Sequence, residues 1–267
     1  MIIKPLQHSD IALLNEIQPP DWDDISPHIK YYINSPYCEP IKIISGNKIC
    51  GIGTTLKHKD TVWLAHIIVH PEFRNRGIGK RITDALVKSV DRRKYKTIYL
   101  IATELGYPVY LKSGFEIETE YADFDILHGI PPDYEISSSI IPFNENHRSE
   151  ILKLDKFVTG ESRENRLNEH IKNSFVFLSE GKVCGAYFPK LGEGLIIAYE
   201  EEAGIELIKL RLKKMKNAFF PIDNKAAFEF YSSGNFKFDK YSKRMRLGKE
   251  KKLHLENMYN RVSGQIG

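Results

Sequence analysis

The sequence predicts an α/β (α+β) protein with two related domains in tandem, and three observations lead to this prediction. The chain has 267 residues, which is enough for two domains of ordinary size. A short segment, Ser45-Gly-Asn-Lys-Ile-Cys-Gly51, returns as Ser179-Glu-Gly-Lys-Val-Cys-Gly185. Each copy joins two runs rich in β-branched and apolar residues, a pattern typical of a β-hairpin. We therefore predict one domain at residues 1–133 and a second at residues 134–267.

The ends of the two halves also match. Ser113-Gly-Phe115 is echoed by Ser233-Gly-Asn-Phe236, near the end of each copy. Cys50 and Cys184 are 134 residues apart, whereas the two later glycines are only 120 residues apart. The second copy is therefore about 14 residues shorter between its cysteine and its glycine.

The composition is that of a globular protein, with 42% hydrophobic and 28% charged residues. No apolar run approaches the roughly 18 residues of a membrane span, and the N-terminus lacks the pattern of a signal peptide. The three cysteines form no CxxC pair, so they predict neither a disulfide framework nor a thiolate zinc site. We therefore expect a cytoplasmic protein with no membrane partner and no metal.

The net charge of +4 is mild, and the basic runs are short. Arg92-Arg93-Lys94 is one such run, and an acid interrupts the other, Lys249-Glu250-Lys251-Lys252. Runs of this length are usually solvated faces. A nucleic-acid-binding protein is an alternative interpretation, but it lacks aromatic residues interleaved along a basic stripe, and we expect no nucleic-acid partner.

The segment with the clearest chemical signal lies in the first half. Thr61–Val69 is apolar and β-branched, as in a strand buried on both faces. A glycine-containing loop follows, and then Gly79–Arg93 shows the apolar spacing of a helix. Free N–H groups at a helix start favour an anion, and Gly77 and Gly79 let the backbone approach it closely. The segment is therefore a candidate phosphate site, although a tight turn with no ligand would have the same pattern.

Two familiar phosphate motifs do not match this loop. The P-loop needs a Ser or Thr after Gly79-Lys80, where Arg81 stands. The dinucleotide motif needs a third glycine, where Ile82 stands.

Arg74-x-x-Gly77-x-Gly79 instead resembles the pyrophosphate loop of the GNAT superfamily of N-acetyltransferases. Ile101–Phe115 is similar to the late motif of that superfamily, in which a tyrosine four residues before Gly-Phe faces the coenzyme A sulfur. The segment from Pro20 to Pro40 resembles a tandem-domain subgroup with a degenerate GNAT-like C-terminal domain. Ile101 departs from the Asp-Ala-Thr that usually opens the late motif in this subgroup. The resemblance implies, in each domain, a mixed and mostly antiparallel sheet flanked by helices.

The resemblance also implies acetyl-CoA as cosubstrate and direct attack of a primary amine on its thioester. The implied cofactor-binding residues lie on the strand end, in the loop and in the late motif: Ile67, Ile68, Val69, Arg74, Asn75, Arg76, Gly77, Ile78, Gly79, Lys80 and Tyr110. Tyr110 is the predicted general acid, because a phenol can protonate a comparably basic thiolate. A packing role for Tyr110 is the alternative, and Tyr107 is a weaker competitor.

The sequence leaves the general base open among His66, Glu104 and water. Asp21, Asp23 and Asp24 could attract a cationic amine, or could cap and solvate a helix that begins at Ser26-Pro27. The acceptor could be a small-molecule or peptide amine, and the oligomeric state is not predicted.

The second domain has three acids, Glu200–Glu202, after its strand Gly194–Tyr199. Three acids would repel a pyrophosphate, so we expect no cofactor site there. The counterpart of Tyr110 is either Phe230 or Tyr231. A non-catalytic acetyl-CoA-binding regulatory module is the alternative function for the whole chain.

Overall fold

The computed structural model describes residues 1–20, 22–126, 133–234 and 236–266. The chain forms two compact units. The first unit comprises Met1–Glu116, Met245–Lys249 and Ile266, and the second comprises Ile117–Arg244 and Glu250–Gln265. The division between the two units falls at Glu116, because the strand that begins there pairs with a strand of the second unit. The functional division at residue 133 stays a prediction.

The described residues contain strands and helices throughout. The strands are β1 (Ile2–Pro5), β2 (Cys38–Ser45), β3 (Lys48–Lys57), β4 (Thr61–Val69), β5 (Thr97–Ala102), β6 (Glu116–Ile126), β7 (Ile140–Pro142), β8 (Phe175–Ser179), β9 (Lys182–Phe188), β10 (Leu195–Ala198), β11 (Asn217–Pro221), β12 (Phe236–Gly248) and β13 (Met258–Asn260). The α-helices are α1 (Ser26–Asn34), α2 (Ile78–Ser89), α3 (Tyr107–Lys112), α4 (Arg148–Thr159), α5 (Glu164–Asn168), α6 (Glu201–Leu212) and α7 (Lys225–Ser233). Within the described ranges, no helix combines the length and the apolar character that crossing a membrane requires.

The sheet of the first unit runs in the order β1-β2-β3-β4-β5. Its first four strands pair antiparallel with their neighbours, whereas β5 runs parallel to β4. The end of β12 adds a further strand beside β5, and Lys249 N–H donates to Lys96 O at 3.0 Å. The predicted mixed, mostly antiparallel sheet is confirmed for this unit.

Helix α2 packs closely on this sheet because β3 has glycines beneath it. A Cβ atom at Gly51 would lie 2.8 Å from Ile82 Cδ1, and one at Gly53 would lie 2.6 Å from Ile82 Cγ2. Ile82 is fully buried there, which stabilises the fold by about 1.5–3 kcal/mol relative to an exposed side chain. The helix ends at Ser89, earlier than the predicted Arg93, because the chain turns extended at Val90.

The second unit contains two sheets. One comprises β12, β6 and β11, in which β11 pairs antiparallel with β6. The other has the order β13-β10-β9-β8-β7, with antiparallel pairing throughout. Helices α4, α5, α6 and α7 complete this unit.

The duplication is visible in matching backbone contacts. His70 N–H donates to Cys50 O at 3.0 Å in the first unit, and Tyr199 N–H donates to Cys184 O at 2.7 Å in the second. Both hairpins form as predicted, with two-residue turns after Ser45 and after Ser179. Gly46 has φ 58°, whereas in the second turn both Glu180 and Gly181 have positive φ, as a type I′ turn requires. The predicted fold class is therefore confirmed.

Candidate functional site

The loop between β4 and α2 is built from a short turn and two left-handed residues. Strand β4 ends at Val69, and a 3-10 turn follows at Pro71–Phe73. His70 caps this turn, since its Nδ1 accepts the Glu72 N–H at 3.1 Å. Asn75 (φ 59°) and Gly77 (φ 74°) then turn the chain into α2. These are the two residue types that adopt this conformation most readily.

The backbone of this loop presents a row of N–H groups without acceptors. Within the described part of the chain, residues 75 to 80 donate no backbone N–H hydrogen bond, and Arg81 is the first to close the helix, onto Gly77 O at 3.0 Å. Six consecutive N–H groups are thus available beside the positive end of the dipole of α2. This arrangement is suited to an anion with several oxygens, such as a pyrophosphate.

The two loop glycines have different surroundings. A Cβ atom at Gly77 would meet no atom within 4 Å, so this position faces open space. A Cβ atom at Gly79 would lie 3.6 Å from Val69 Cγ2 and 3.9 Å from Val109 Cγ1. The end of β4, the start of α2 and helix α3 therefore converge at Gly79.

The cations of the loop are exposed, and their partners differ. Arg74 Nε donates to Val69 O at 3.4 Å, and the Arg76 guanidinium lies 5.4 Å from the centre of the Phe73 ring. Lys80 Nζ pairs with Asp84 Oδ2 at 2.5 Å, one helical turn away, so part of its charge is neutralised. The two arginines supply the larger uncompensated positive field at this site.

Strands β4 and β5 separate beside this loop. Their parallel pairing covers only three residue pairs, from Thr61–Thr97 to Trp63–Tyr99, although β4 continues to Val69. A bulge in β4 adds to the separation, because Gly53 of β3 lies opposite both His66 and Ile67. His66 has φ 46°, a left-handed conformation that a strand residue rarely adopts. The edge of β4 at Ile67–Val69 therefore borders a gap between the two strands.

The predicted strand residues occupy both faces of β4. Ile67 and Val69 are half-buried and pack against the cluster that includes Ile78 and Ile82 of α2. Ile68 is buried and pairs with Ile52 of β3. A flexible apolar group lying in the gap would contact Ile67 and Val69 first.

Tyr110 lies on α3, in the same apolar cluster as the start of α2. Its side chain is buried against Gly106, and its ring meets Phe115 edge-on at 6.2 Å. Burial raises the pKa of Tyr110 above its ordinary value of 10.0, so the phenol stays protonated. No described residue forms a hydrogen bond with its hydroxyl, which is therefore available to a ligand.

His66 lies on the side of β4 that faces α1. Its Nδ1 shares a hydrogen bond of 2.9 Å with the Tyr32 hydroxyl, and the His28 ring lies 5.3 Å away. Burial, and secondarily the nearby His28, lower the pKa of His66 to about 3. A group with this pKa is neutral near pH 7 and accepts a proton poorly. Trp22 meets the His66 ring edge-on at 6.2 Å.

The remaining acidic candidates are exposed. Glu104 lies in the turn before α3. Asp24 Oδ1 accepts the N–H of Ser26, the first residue of α1, at 2.9 Å, and this bond lowers the pKa of Asp24. Asp23 makes no such contact, and Asp21 lies outside the described residues.

The second unit differs at the position of the loop but keeps a buried tyrosine. Glu200 directly precedes α6, and Glu201 and Glu202 lie in its first turn. Tyr231 is fully buried, and its ring meets Phe236 edge-on at 4.8 Å, which mirrors the contact of Tyr110 with Phe115. Phe230 is only partly buried. Tyr231 is therefore the counterpart of Tyr110, and this resolves the alternative that the sequence left open.

Sequence reasoning missed Tyr32, Asp84 and Val109. Tyr32 follows His28 by one helical turn, and Asp84 follows Lys80 by the same interval, so helical spacing could have indicated both. Val109 contacts Gly79 only through tertiary folding, and no local signal predicts it.

Comparisons with known proteins agree with this geometry. Residues 41–117 match the family model described as "Acetyltransferase (GNAT) domain". A search of curated protein sequences gives no significant match. Among solved structures, the chain is similar to a proposed acetyltransferase from Pyrococcus horikoshii, with a TM-score of 0.82 and 19% identity over 100% of this chain and 95% of that chain.

Two further structures share the fold. A GCN5-related N-acetyltransferase from Sphaerobacter thermophilus has a TM-score of 0.64 and 13% identity over 92% of this chain and 95% of that chain. A tandem GNAT protein from the clavulanic acid biosynthesis pathway has a TM-score of 0.59 and 12% identity over 92% and 98%. Residues 41–117 thus match a GNAT acetyltransferase domain, and the chain as a whole shares its fold with GNAT structures, among them a tandem GNAT protein.

Proposed function

We propose that the chain is an N-acetyltransferase that moves an acetyl group from acetyl-CoA to a primary amine. The GNAT fold supports acetyl transfer in general. The observation that carries the more specific proposal is the row of unpaired N–H groups at residues 75 to 80, beside the gap between β4 and β5. A ligand with a pyrophosphate joined to a long flexible arm matches both features. Acetyl-CoA is such a molecule.

The residues of the first unit fit this cosubstrate. The N–H groups from Asn75 to Lys80 would hold the pyrophosphate, and the open space at Gly77 leaves room for it. Arg74 and Arg76 would add attraction, with a smaller contribution from Lys80 because of Asp84. Ile67, Ile68 and Val69 would line the arm along the edge of β4.

The proposed chemistry is direct transfer. The amine nitrogen forms a bond to the thioester carbonyl carbon, and the carbon–sulfur bond then breaks. Backbone N–H groups on the β4 edge polarise the carbonyl oxygen. Tyr110 donates its proton to the departing thiolate; burial keeps the phenol protonated, although the raised pKa also makes it a weaker acid than a solvated tyrosine.

The proton that leaves the amine needs a different acceptor. His66 is a poor base near pH 7, because its pKa is about 3 and its Nδ1 is engaged by Tyr32. Water, or Glu104 at the exposed turn before α3, is therefore our proposal for this step. We further propose a cytoplasmic protein, since Cys38, Cys50 and Cys184 form no disulfide with one another.

The test is acetyl-CoA-dependent thiol release, screened over small amines, amino acids and peptide N-termini. Product mass should show one acetyl group on the acceptor nitrogen. We expect turnover with at least one amine class and none with matched alcohols. Tight acetyl-CoA binding without turnover on any acceptor would instead favour a non-catalytic acetyl-CoA-binding module.

A further inference from the structure

The second unit has a gap that corresponds to the one between β4 and β5. Strands β10 and β11 belong to different sheets, and we call the space between them the second cleft. Strand β13 lies in this cleft and pairs antiparallel with β10, with Ile196 opposite Asn260. On its other side, Arg261 N–H donates to Phe219 O of β11 at 2.8 Å. A strand from near the end of the chain thus bridges the two sheets.

The contacts of α2 and α6 with the strands beneath them show which residues of the two units are equivalent. A Cβ atom at Gly51 would lie 2.8 Å from Ile82 Cδ1, and one at Gly185 would lie 2.8 Å from Leu207 Cδ1. Ile82 of α2 therefore corresponds to Leu207 of α6. Three residues earlier on each helix stand Gly79 and Gly204, which are thus equivalent.

The two equivalent glycines have opposite surroundings. Gly79 has only ordinary contacts at the position of a Cβ atom, on the surface that we propose for acetyl-CoA. A Cβ atom at Gly204 would lie 2.2–2.4 Å from three ring atoms of Tyr259. The Tyr259 ring therefore contacts the start of α6 directly, whereas at the equivalent place on α2 the first unit leaves room for a methyl group.

Polar side chains in and beside β13 form hydrogen bonds with the neighbouring backbone. Asn260 Nδ2 donates to Glu193 O at 3.0 Å and to Gly194 O at 2.9 Å, while its Oδ1 accepts the Phe219 N–H at 2.9 Å. Asn257 Nδ2 donates to Ala198 O at 2.7 Å. Backbone groups from both walls of the second cleft are thus satisfied by this one segment, as a bound ligand would satisfy them.

The guanidinium of Arg261 adds a further anchor. It pairs with Glu193 at 2.8 Å and lies 4.5 Å from the centre of the Phe219 ring. Glu193 precedes β10 and Phe219 lies in β11, so Arg261 also contacts both walls.

We infer that residues 257–261 are a built-in occupant of the second cleft, where they stand in for the cosubstrate that the first unit binds. This inference rests on the proposed function for its statement about the cosubstrate. The segment fills the second cleft, and it bridges β10 and β11 where β4 and β5 pair directly in the first unit. The acidic start of α6 keeps the second unit without an acyl-CoA site even when the segment is loosened.

The experiment uses the full chain and the pair of equivalent glycines. Gly204→Ala places a methyl group inside the Tyr259 ring, whereas Gly79→Ala is the matched control with room for the methyl group. We expect Gly204→Ala to lower Tm by about 3–10 °C, despite the better helix propensity of Ala. Gly79→Ala should leave Tm unchanged or raise it slightly. Adding Tyr259→Leu to Gly204→Ala should recover part of the loss, because the colliding ring atoms are removed.

Amide hydrogen exchange gives a direct readout. In the wild type, residues 257–261 should exchange as slowly as β10 and β11, and Gly204→Ala should speed their exchange at least about tenfold. Fast exchange of this segment in the wild type, or no response to Gly204→Ala, would overturn the inference. If Gly204→Ala does not fold, Tyr259→Leu alone should give the same local acceleration.

Coenzyme A titration separates the two proposals. We expect one equivalent per chain in both the wild type and Gly204→Ala. A second equivalent in Gly204→Ala would overturn our view that the second cleft has no acyl-CoA site of its own. No binding in either protein would refute the proposed function, and the Tm and exchange results would still decide whether the segment is the occupant.

Discussion

The replacement of Tyr110 by Phe tests the predicted general acid. The change keeps the buried ring and its contact with Phe115, and it removes only the hydroxyl. Since no described residue hydrogen-bonds this hydroxyl, the free energy of unfolding should change by less than about 0.5 kcal/mol. If the hydroxyl protonates the thiolate, kcat should fall about 10²–10⁴-fold, which corresponds to roughly 3–5 kcal/mol of transition-state stabilisation. Coenzyme A affinity should stay nearly constant.

The assay is steady-state thiol release with two thioesters that differ in the basicity of the leaving thiol. A less basic thiolate needs less help from an acid, so the defect of Tyr110→Phe should shrink with the more acidic thiol. Tyr231→Phe is the matched control, because Tyr231 is the equivalent buried tyrosine of the second unit. Unchanged kcat in Tyr110→Phe, or an equal defect with both thiols, would refute the role of this residue as an acid.

Three further predictions concern the loop, the buried histidine and a helix charge pair. Gly79→Asp should remain folded, because its Cβ atom has room and an acidic residue is favourable in the first turn of a helix. Its affinity for coenzyme A, measured by calorimetry, should fall more than about 100-fold, and near-normal binding would contradict the loop assignment. Below pH 6.5 the unfolded chain binds a proton at His66, whereas the folded chain binds it only near pH 3. The free energy of unfolding should therefore decrease as the pH is lowered from 6.5 towards 3, by at most about 1.4 kcal/mol per pH unit, which denaturant titrations would measure. His66→Asn, which tolerates φ 46°, should lose this component, and parallel slopes for both proteins would count against a buried neutral histidine. Asp84→Asn should free Lys80 and tighten coenzyme A binding by up to about fivefold at low salt, with no gain at high salt.

The sequence predicted the local elements of this fold well, because each has a short-range cause. Strand β4 occurs at the predicted Thr61–Val69, and both predicted hairpins form. Continuous apolar and β-branched runs, together with turn glycines, were sufficient for these predictions. The loop could be recognised because Gly77 must adopt a positive φ.

Features that depend on distant segments were not predictable in this way. The bulge at His66 has no turn residue to indicate it, and its low pKa depends on burial beside α1. Strand β13 has only three residues, and nothing in Met258–Asn260 indicates that it pairs with β10. The assignment of Met245–Lys249 to the first unit likewise depends on long-range pairing, for which a local pattern gives no information.

The late return of the chain to the first unit has a consequence during synthesis. Thr97 of β5 donates to Lys249 O at 2.6 Å across 152 residues of sequence. At about 5–20 residues per second, a ribosome needs roughly 8–30 s to make that interval. Through that time the outer edge of β5 lacks its neighbour, and an unpaired strand edge invites association with other nascent chains. The order of translation thus exposes this protein to aggregation at one specific strand, and chaperone binding or a slow final folding step should be sought there.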